Sequence, residues 1–312
     1  MNAPIDPSKF RDPQITAAGE VRATVAFDRF RTLWLNTGSL CNIECANCYI
    51  QSSPTADHFV YLTPADVMPL LDELDDEAGP VEIGLTGGEP FLNPDIIGLC
   101  DAALSRGHSL LILTNAMRPM MRPRIQAGLL DLADRYPDRM TLRVSLDHYR
   151  AADHDAERGG GAFAKAVMGM DWLNEHGFSL HIAGRAAFCD TVEGARDGYR
   201  ALIAAKGWDI DADDPAALML FPEMDEKLDV PEITTACWDI LSVDPSAMMC
   251  ASSRMVVKRR GEQSVRLLSC TLLWDDPQFD MGGTLSEARR PVSLNHPHCS
   301  RFCVLGGASC SA

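Results

Sequence analysis

Cys41, Cys45 and Cys48 stand at C-x3-C-x2-C spacing in the run CNIECANC. Three thiolates on one short loop can hold three irons of a cubane cluster and leave the fourth iron open to an outside ligand, whereas a fourth cysteine would close the coordination. The competing readings are a zinc site without a nearby fourth ligand and three unrelated thiols. Further on, Gly87-Gly88-Glu89-Pro90 supplies two glycines that let a backbone approach a ligand, with a carboxylate beside them able to accept from an ammonium group. The chain has 11 cysteines in all. Cys237, Cys250, Cys270, Cys299, Cys303 and Cys310 crowd the last quarter, while Cys100 and Cys189 sit alone in apolar patterns, as small buried hydrophobes do.

The compartment decides what those thiols are for. The 312 residues carry 28 Lys and Arg against 44 Asp and Glu, a formal charge of −16. A field of that sign repels a nucleic-acid backbone, so no nucleic-acid partner is expected. The one short basic run, Lys258-Arg259-Arg260, reads as the solvated tip of a hairpin. No stretch is apolar for long enough to suggest a membrane span, and the amino terminus, MNAPIDPSKFRDPQ, has no signal-peptide core. A cytoplasmic, reducing location follows, where ligation or catalysis is a more natural use for thiols than disulfides.

The elements that must position these residues alternate. Candidate strands at Leu33–Thr37, Val81–Thr86, Ser109–Thr114, Thr141–Leu146, Leu180–Ala187 and Leu218–Phe221 are separated by helical stretches. The first helix opens at Thr63-Pro64 and stops at Gly79; the next runs from Asn93-Pro94 to Gly107, and others lie near 122–135, 162–176 and 193–205. Six parallel strands form either a flat doubly wound sheet or an incomplete barrel, and periodicity does not choose between them. Both architectures bind ligands at the carboxyl ends of the strands. The cysteine run follows the first strand and GGEP follows the second, so both are expected to face one pocket.

With CNIECANC at 41–48, GLTGGEPFLNP at 84–94, LTNAM at 113–117 and the strand pattern around them, the chain resembles the radical S-adenosylmethionine (radical SAM) superfamily over roughly residues 31–221. The resemblance implies a partial (β/α)6 barrel at 31–225, preceded by an extension at 1–30. It implies a [4Fe–4S] cluster on Cys41, Cys45 and Cys48, whose open iron binds the amino and carboxylate groups of S-adenosylmethionine. It also implies reductive cleavage to a 5′-deoxyadenosyl radical, with electrons from a flavodoxin- or ferredoxin-type donor. Gly87, Gly88, Glu89 and Pro90 would then meet the methionine ammonium, and Asn115 lies in the LTNAM segment. Ser145 and Asp147 are candidates for ribose or carboxylate, and Arg185 for the carboxylate, against an ion-pair role. Phe221 would lie near adenine, against a plain core contact. Members often carry an aromatic residue just before the third cysteine; here that residue is Asn47, with Tyr49 just after, so adenine packing is expected to differ there.

After Phe221 the alternation stops, and PEMDEKLDVPEI reads as a linker into a small cysteine-rich α+β domain at 226–312. Arg254 to Cys270 reads as a β-hairpin, followed by the tail HPHCSRFCVLGGASC. This quarter resembles the twitch and SPASM auxiliary-cluster extensions, which implies a second [4Fe–4S] cluster using Cys250, Cys270, Cys299 or Cys303, and Cys310. Cys237 is a further candidate, a second auxiliary cluster is a weaker reading, and a zinc ribbon is the alternative. His296 and His298 read as surface residues. DHYRAADHD at 147–155, followed by Gly159-Gly160-Gly161, reads as a mobile loop over the pocket in preference to a hydrolytic metal site.

The expected function is therefore a radical enzyme that oxidises, rearranges or joins its substrate, or transfers sulfur or a methyl group. A non-catalytic iron–sulfur carrier has no use for GGEP. Only about 30 residues precede the first strand, which leaves little room for a leader-binding element and favours a small-molecule substrate over a peptide.

Overall fold

The computed structural model describes residues 3–186, 191–222 and 225–308. Cys189, Cys310 and Ala187 lie outside them. The strands are β1 (Thr24–Val25), β2 (Thr32–Asn36), β3 (Glu82–Thr86), β4 (Ser109–Thr114), β5 (Met140–Ser145), β6 (Ser179–Arg185), β7 (Leu218–Phe221), β8 (Ser253–Val257), β9 (Arg266–Leu268), β10 (Asp280–Gly282) and β11 (Val292–Ser293). The α-helices are α1 (Pro64–Glu77), α2 (Ile96–Leu104), α3 (Pro123–Arg135), α4 (Ala151–Arg158), α5 (Ala162–Glu175), α6 (Val192–Lys206) and α7 (Cys237–Leu241).

β2 to β7 pair in chain order, each parallel to the next, with a helical crossover between neighbours. These are the six expected strands. Their runs of Leu, Ile and Val are buried because helices cover the sheet, which is why they read as near-continuous apolar stretches instead of alternating ones. Local chemistry sets the helix starts. At α1, Pro64 takes the first turn and the Asp66 carboxylate accepts from the backbone N–H of Thr63 at 2.9 Å and its hydroxyl at 2.8 Å. Cys100 is fully buried in α2 among the core side chains.

Two expectations change. Residues 151–158 form helix α4, ended by Gly159 at φ +94°, where a mobile loop was expected. Its Ala, Glu and Arg content suits a helix, and the glycine that follows is its stop. The hairpin after the linker exists, but it joins the barrel's sheet. β8 lies parallel to β2, and β9 and β10 follow antiparallel, giving the order β10-β9-β8-β2-β3-β4-β5-β6-β7. The sheet stays open, with β7 and β10 at its edges.

The basic run does lie in the turn between β8 and β9, with Arg260 exposed, but Lys258 and Arg259 are half-buried. Lys258 reaches Asp66 at 2.6 Å, Arg259 reaches Asp280 at 3.0 Å, and Arg260 pairs with Asp57, so acidic partners fasten the run to the rest of the fold. The first residues of the chain pack on the C-terminal region. β1 pairs antiparallel with β11, and the buried Arg22 meets Glu232 at 2.5 Å.

Candidate active site and the C-terminal thiol group

The backbone after β2 and the backbone after β3 touch, and glycine is what lets them. A Cβ on Gly88 would stand 2.1 Å from the Leu40 carbonyl oxygen, and one on Gly87 2.5 Å from that of Gly38. The contact is sealed by Gly88 N–H donating to Gly38 O at 2.8 Å and Glu89 N–H to Leu40 O at 3.0 Å. The pair of glycines therefore registers the GGEP loop against the start of the cysteine loop, while both glycines also line the cavity.

That cavity, about 180 Å³, sits at the carboxyl ends of the strands. Cys41, Cys45, Cys48, Tyr49, Gly87, Gly88, Asn115, Ser145, Asp147, Arg185 and Phe221 all line it, so the sequence expectation of one shared pocket holds for these residues. Glu89 and Pro90 are not among the lining residues. Pro90 is buried as the first residue of a 3-10 turn, Pro90–Leu92. Glu89 is 2% exposed, and its carboxylate accepts from the Thr114 hydroxyl at 2.8 Å, Asn115 N–H at 2.9 Å and Phe91 N–H at 3.2 Å. Burial nevertheless pushes its carboxyl up to about 7. Its observed work is to fix the end of β4, and through it Asn115, whose amide reaches Asn42 Oδ1 at 3.0 Å and Cys41 Sγ at 3.9 Å.

Helix α4 supplies cavity residues that the sequence reading missed. Arg158 grips Asp147 with two bonds, Nε to Oδ2 at 2.6 Å and Nη2 to Oδ1 at 3.0 Å. Burial works to raise the Asp147 carboxyl, but the Arg158 charge and its two N–H donors outweigh it and hold the carboxyl below its usual range. Glu157 pairs with Arg185 at 2.9 Å and accepts from the Asn47 amide at 3.0 Å, while its carbonyl accepts from Ala46 N–H at 2.9 Å. Asn47 thus holds the cysteine loop to α4. His148 and His154 are buried, and His154 Nδ1 accepts from Asp147 N–H at 3.2 Å, so they brace the loop from within.

Burial pushes the Cys41 thiol up to about 12, with the Glu89 charge adding to it, and raises Cys45 for the same first reason. Such thiols give up their protons when a cation arrives to pay for the charge. Three soft donors with no fourth cysteine in the lining, and a buried Ser52 hydroxyl there that lacks a hydrogen-bond partner, fit a cluster with one open position.

The C-terminal cysteines gather elsewhere. Cys250, Cys270 and Cys299 are all buried, and Cys299 lies within electrostatic range of the other two. Burial pushes Cys250 up to about 11 and holds Cys299 well above the usual thiol range. Cys299 and Cys303 lie four residues apart in a π-helical stretch, Cys299–Val304. Cys237 begins α7, where its sulfur accepts from Thr234 N–H at 3.3 Å. His296 and His298, expected at the surface, are largely buried with ring centroids 4.9 Å apart, and burial takes His296 down to about 4. Among the described residues no three Cys, His, Asp or Glu side chains close on a single point as one metal ion requires. A cubane, unlike a single ion, spreads its thiolates over separate irons.

The two places are joined. Leu272, two residues after Cys270, and Phe302, between Cys299 and Cys303, line the barrel cavity, with Phe302 beside Phe221 at 5.5 Å. Trp274 donates its indole N–H to the Tyr49 carbonyl at 2.8 Å and stacks on His58.

The family profile described as the radical SAM superfamily matches residues 35–184. That segment is just under half of the chain, and over it the chain is similar to the radical SAM superfamily. A radical SAM protein carries a [4Fe–4S] cluster and S-adenosylmethionine as its cofactors, and the cavity residues above fit both. The antilisterial bacteriocin subtilosin biosynthesis protein AlbA of Bacillus subtilis is 31% identical over 144 residues, 46% of this chain and 30% of that one. The mycofactocin maturase MftC of Mycobacterium ulcerans is 33% identical over 139 residues, 45% of this chain and 35% of that one. The match therefore spans about a third of the length of these curated relatives. The crystal structure of Streptococcus suis SuiB bound to S-adenosylmethionine superposes with a TM-score of 0.58 at 13% identity, covering 81% of this chain and 63% of that one; this likeness is one of fold. Among the described residues no helix is long and apolar enough to cross a membrane.

Proposed function

We propose that this chain is an enzyme that cleaves S-adenosylmethionine reductively on a cluster held by Cys41, Cys45 and Cys48, and removes a hydrogen atom from its substrate. The supporting observation is the convergence of the three thiols, the Gly87-Gly88 backbone and the polar strand ends on one cavity. A cluster held by these thiols would supply the one electron that reductive cleavage of the sulfonium requires. The chain's own residues do the holding. Asn115 steadies Cys41, and the Gly87-Gly88 backbone, which lines the cavity, offers the ammonium contact. Arg158 and Arg185 offer planar cations to the carboxylate, Ser145 and Asp147 offer polar groups to the ribose, and Phe221 with Tyr49 forms the adenine side. A flavodoxin- or ferredoxin-type protein supplies the electron.

The C-terminal thiols are read as ligands of a second [4Fe–4S] cluster, on Cys250, Cys270, Cys299 and either Cys303 or Cys310, in a twitch- or SPASM-like extension over 226–312. Their burial suits closed coordination. The names of AlbA, a bacteriocin biosynthesis protein, and MftC, a maturase, support the reading in which a peptide or protein is matured over the small-molecule one.

The test is metal content and electron paramagnetic resonance of the anaerobically reconstituted chain, reduced with dithionite, with and without S-adenosylmethionine. About eight irons per chain, with only part of the signal shifted by S-adenosylmethionine, is the expected result. About four irons and one zinc would leave the barrel chemistry intact and remove the second cluster. Absence of 5′-deoxyadenosine would overturn the proposal. A peptide library and a metabolite pool, each assayed for hydrogen transfer into 5′-deoxyadenosine from deuterated material, separate the two substrate classes.

A further inference from the structure

Arg254, in β8, is fully buried, and its guanidinium is committed to backbone carbonyls. Nε donates to Ala288 O at 2.7 Å, Nη1 to Cys250 O at 2.6 Å and Ser253 O at 2.7 Å, and Nη2 to Arg290 O at 3.1 Å. The Phe27 ring lies 4.6 Å from its central carbon. Among the described residues no carboxylate reaches it. Arg22, equally buried, has Glu232 at 2.5 Å, so this fold does pair buried arginines elsewhere. The ionisable groups that act on Arg254 are two thiols, Cys250 and Cys270, and a like charge, Arg290.

A buried cation without a counter-ion costs several kcal/mol. Among the described residues, the groups acting on it that can become anions are cysteines already read as cluster ligands. A cubane held by four thiolates is negatively charged, and it gains one more negative charge when it accepts an electron. A fixed cation nearby stabilises the reduced form more than the oxidised one, because the attraction grows with the charge. We propose that Arg254 is the built-in counter-charge of the C-terminal cluster and raises its reduction potential, biasing that cluster toward accepting the electron left when a substrate radical is oxidised. This rests on the reading of the C-terminal thiols as cluster ligands.

The test uses the full reconstituted chain and the variants Arg254→Met and Arg254→Lys, titrated from oxidised to reduced with dithionite while the signal that S-adenosylmethionine does not shift is followed. In Arg254→Met the midpoint potential of that signal is expected to fall by at least a tenfold change in the one-electron equilibrium, about 59 mV. The S-adenosylmethionine-sensitive signal should stay in place, and Arg254→Lys should remain close to wild type. Loss of the second cluster in Arg254→Met with retention in Arg254→Lys also supports the charge. An unmoved potential at full iron content, or loss of the cluster in both variants, overturns the proposal and leaves the arginine as scaffold. Wild-type protein with zinc or only about four irons removes the cluster reading itself, a failure seen before any variant is made.

Discussion

The two thiol groups of this chain differ in what surrounds them. Cys41, Cys45 and Cys48 line a cavity whose wall is polar at the strand ends, with Asp147, Arg158, Glu157 and Arg185 paired across it. Cys250, Cys270 and Cys299 lie in the core, with a buried arginine held by carbonyls beside them. An open position needs a cavity that a second molecule can enter, and a closed cluster needs burial and a compensating charge. The same side chain therefore sits in two different surroundings, and the two uses proposed for it can be tested at either end.

The largest effect is expected from Cys41→Ala, Cys45→Ala or Cys48→Ala. Each should abolish 5′-deoxyadenosine formation, measured by chromatography of the quenched reaction, because each removes a ligand from the cluster that must keep one iron open. Retained cleavage in all three would erase the distinction between the sites. Cys250→Ala or Cys270→Ala should instead lower iron by about four per chain and leave uncoupled cleavage of S-adenosylmethionine in place.

Next in size is Arg158→Met. Removing one partner of the buried pair with Asp147 leaves a buried carboxylate uncompensated, at a cost of about 3–5 kcal/mol, read from chemical denaturation of the metal-free chain. Arg158→Lys should recover part of the stability but not the two-bond grip, since an ammonium is a point charge and not a planar fork. Equal stability of Arg158→Met and wild type would mean that α4 is not what shapes the cavity wall.

Glu89 gives a pH-dependent counterpart. Burial raises its carboxyl from 4.5 to about 7, so its contribution to stability is fully present below about pH 4.5 and is lost as pH rises through about 7. Wild type should lose on the order of 2–3 kcal/mol relative to Glu89→Gln between about pH 5 and about pH 8, measured by denaturation of the metal-free protein. A constant difference across that range would show Glu89 to be as well solvated as an ordinary carboxylate.

Much of this arrangement was legible in the sequence. The six strands lie within a residue or two of where alternation put them, and the cysteine and GGEP runs face one cavity because parallel strands deliver their following loops to the same end. What escaped reading has physical causes. In α4 the residues Asp153, His154 and Asp155 are weak helix formers and three glycines follow, so the stretch looked like a loop, and Glu157 and Arg158 went with it. Leu272 and Phe302 reach the cavity only through tertiary packing of the C-terminal region, which no local pattern encodes. Glu89 was read as facing a ligand from its neighbours in the chain, while its direction is set by donors on β4 and just beyond.

The smallest expected effect tests the joint between the two regions. Trp274 follows Cys270 by four residues, and its N–H ends on the Tyr49 carbonyl, one residue after Cys48. Trp274→Phe keeps an aromatic ring against His58 but removes that donor, leaving the Tyr49 carbonyl to find another partner. The net cost should be about 1 kcal/mol. Because the bond ties the open-site loop to the closed-site segment, the spectral line of the S-adenosylmethionine-sensitive cluster should broaden or shift while both clusters keep their iron. If the signal is unchanged and only stability falls, the two sites share a fold without sharing a mechanical connection, and Leu272 and Phe302 are left as the contacts through which the C-terminal region acts on the cavity.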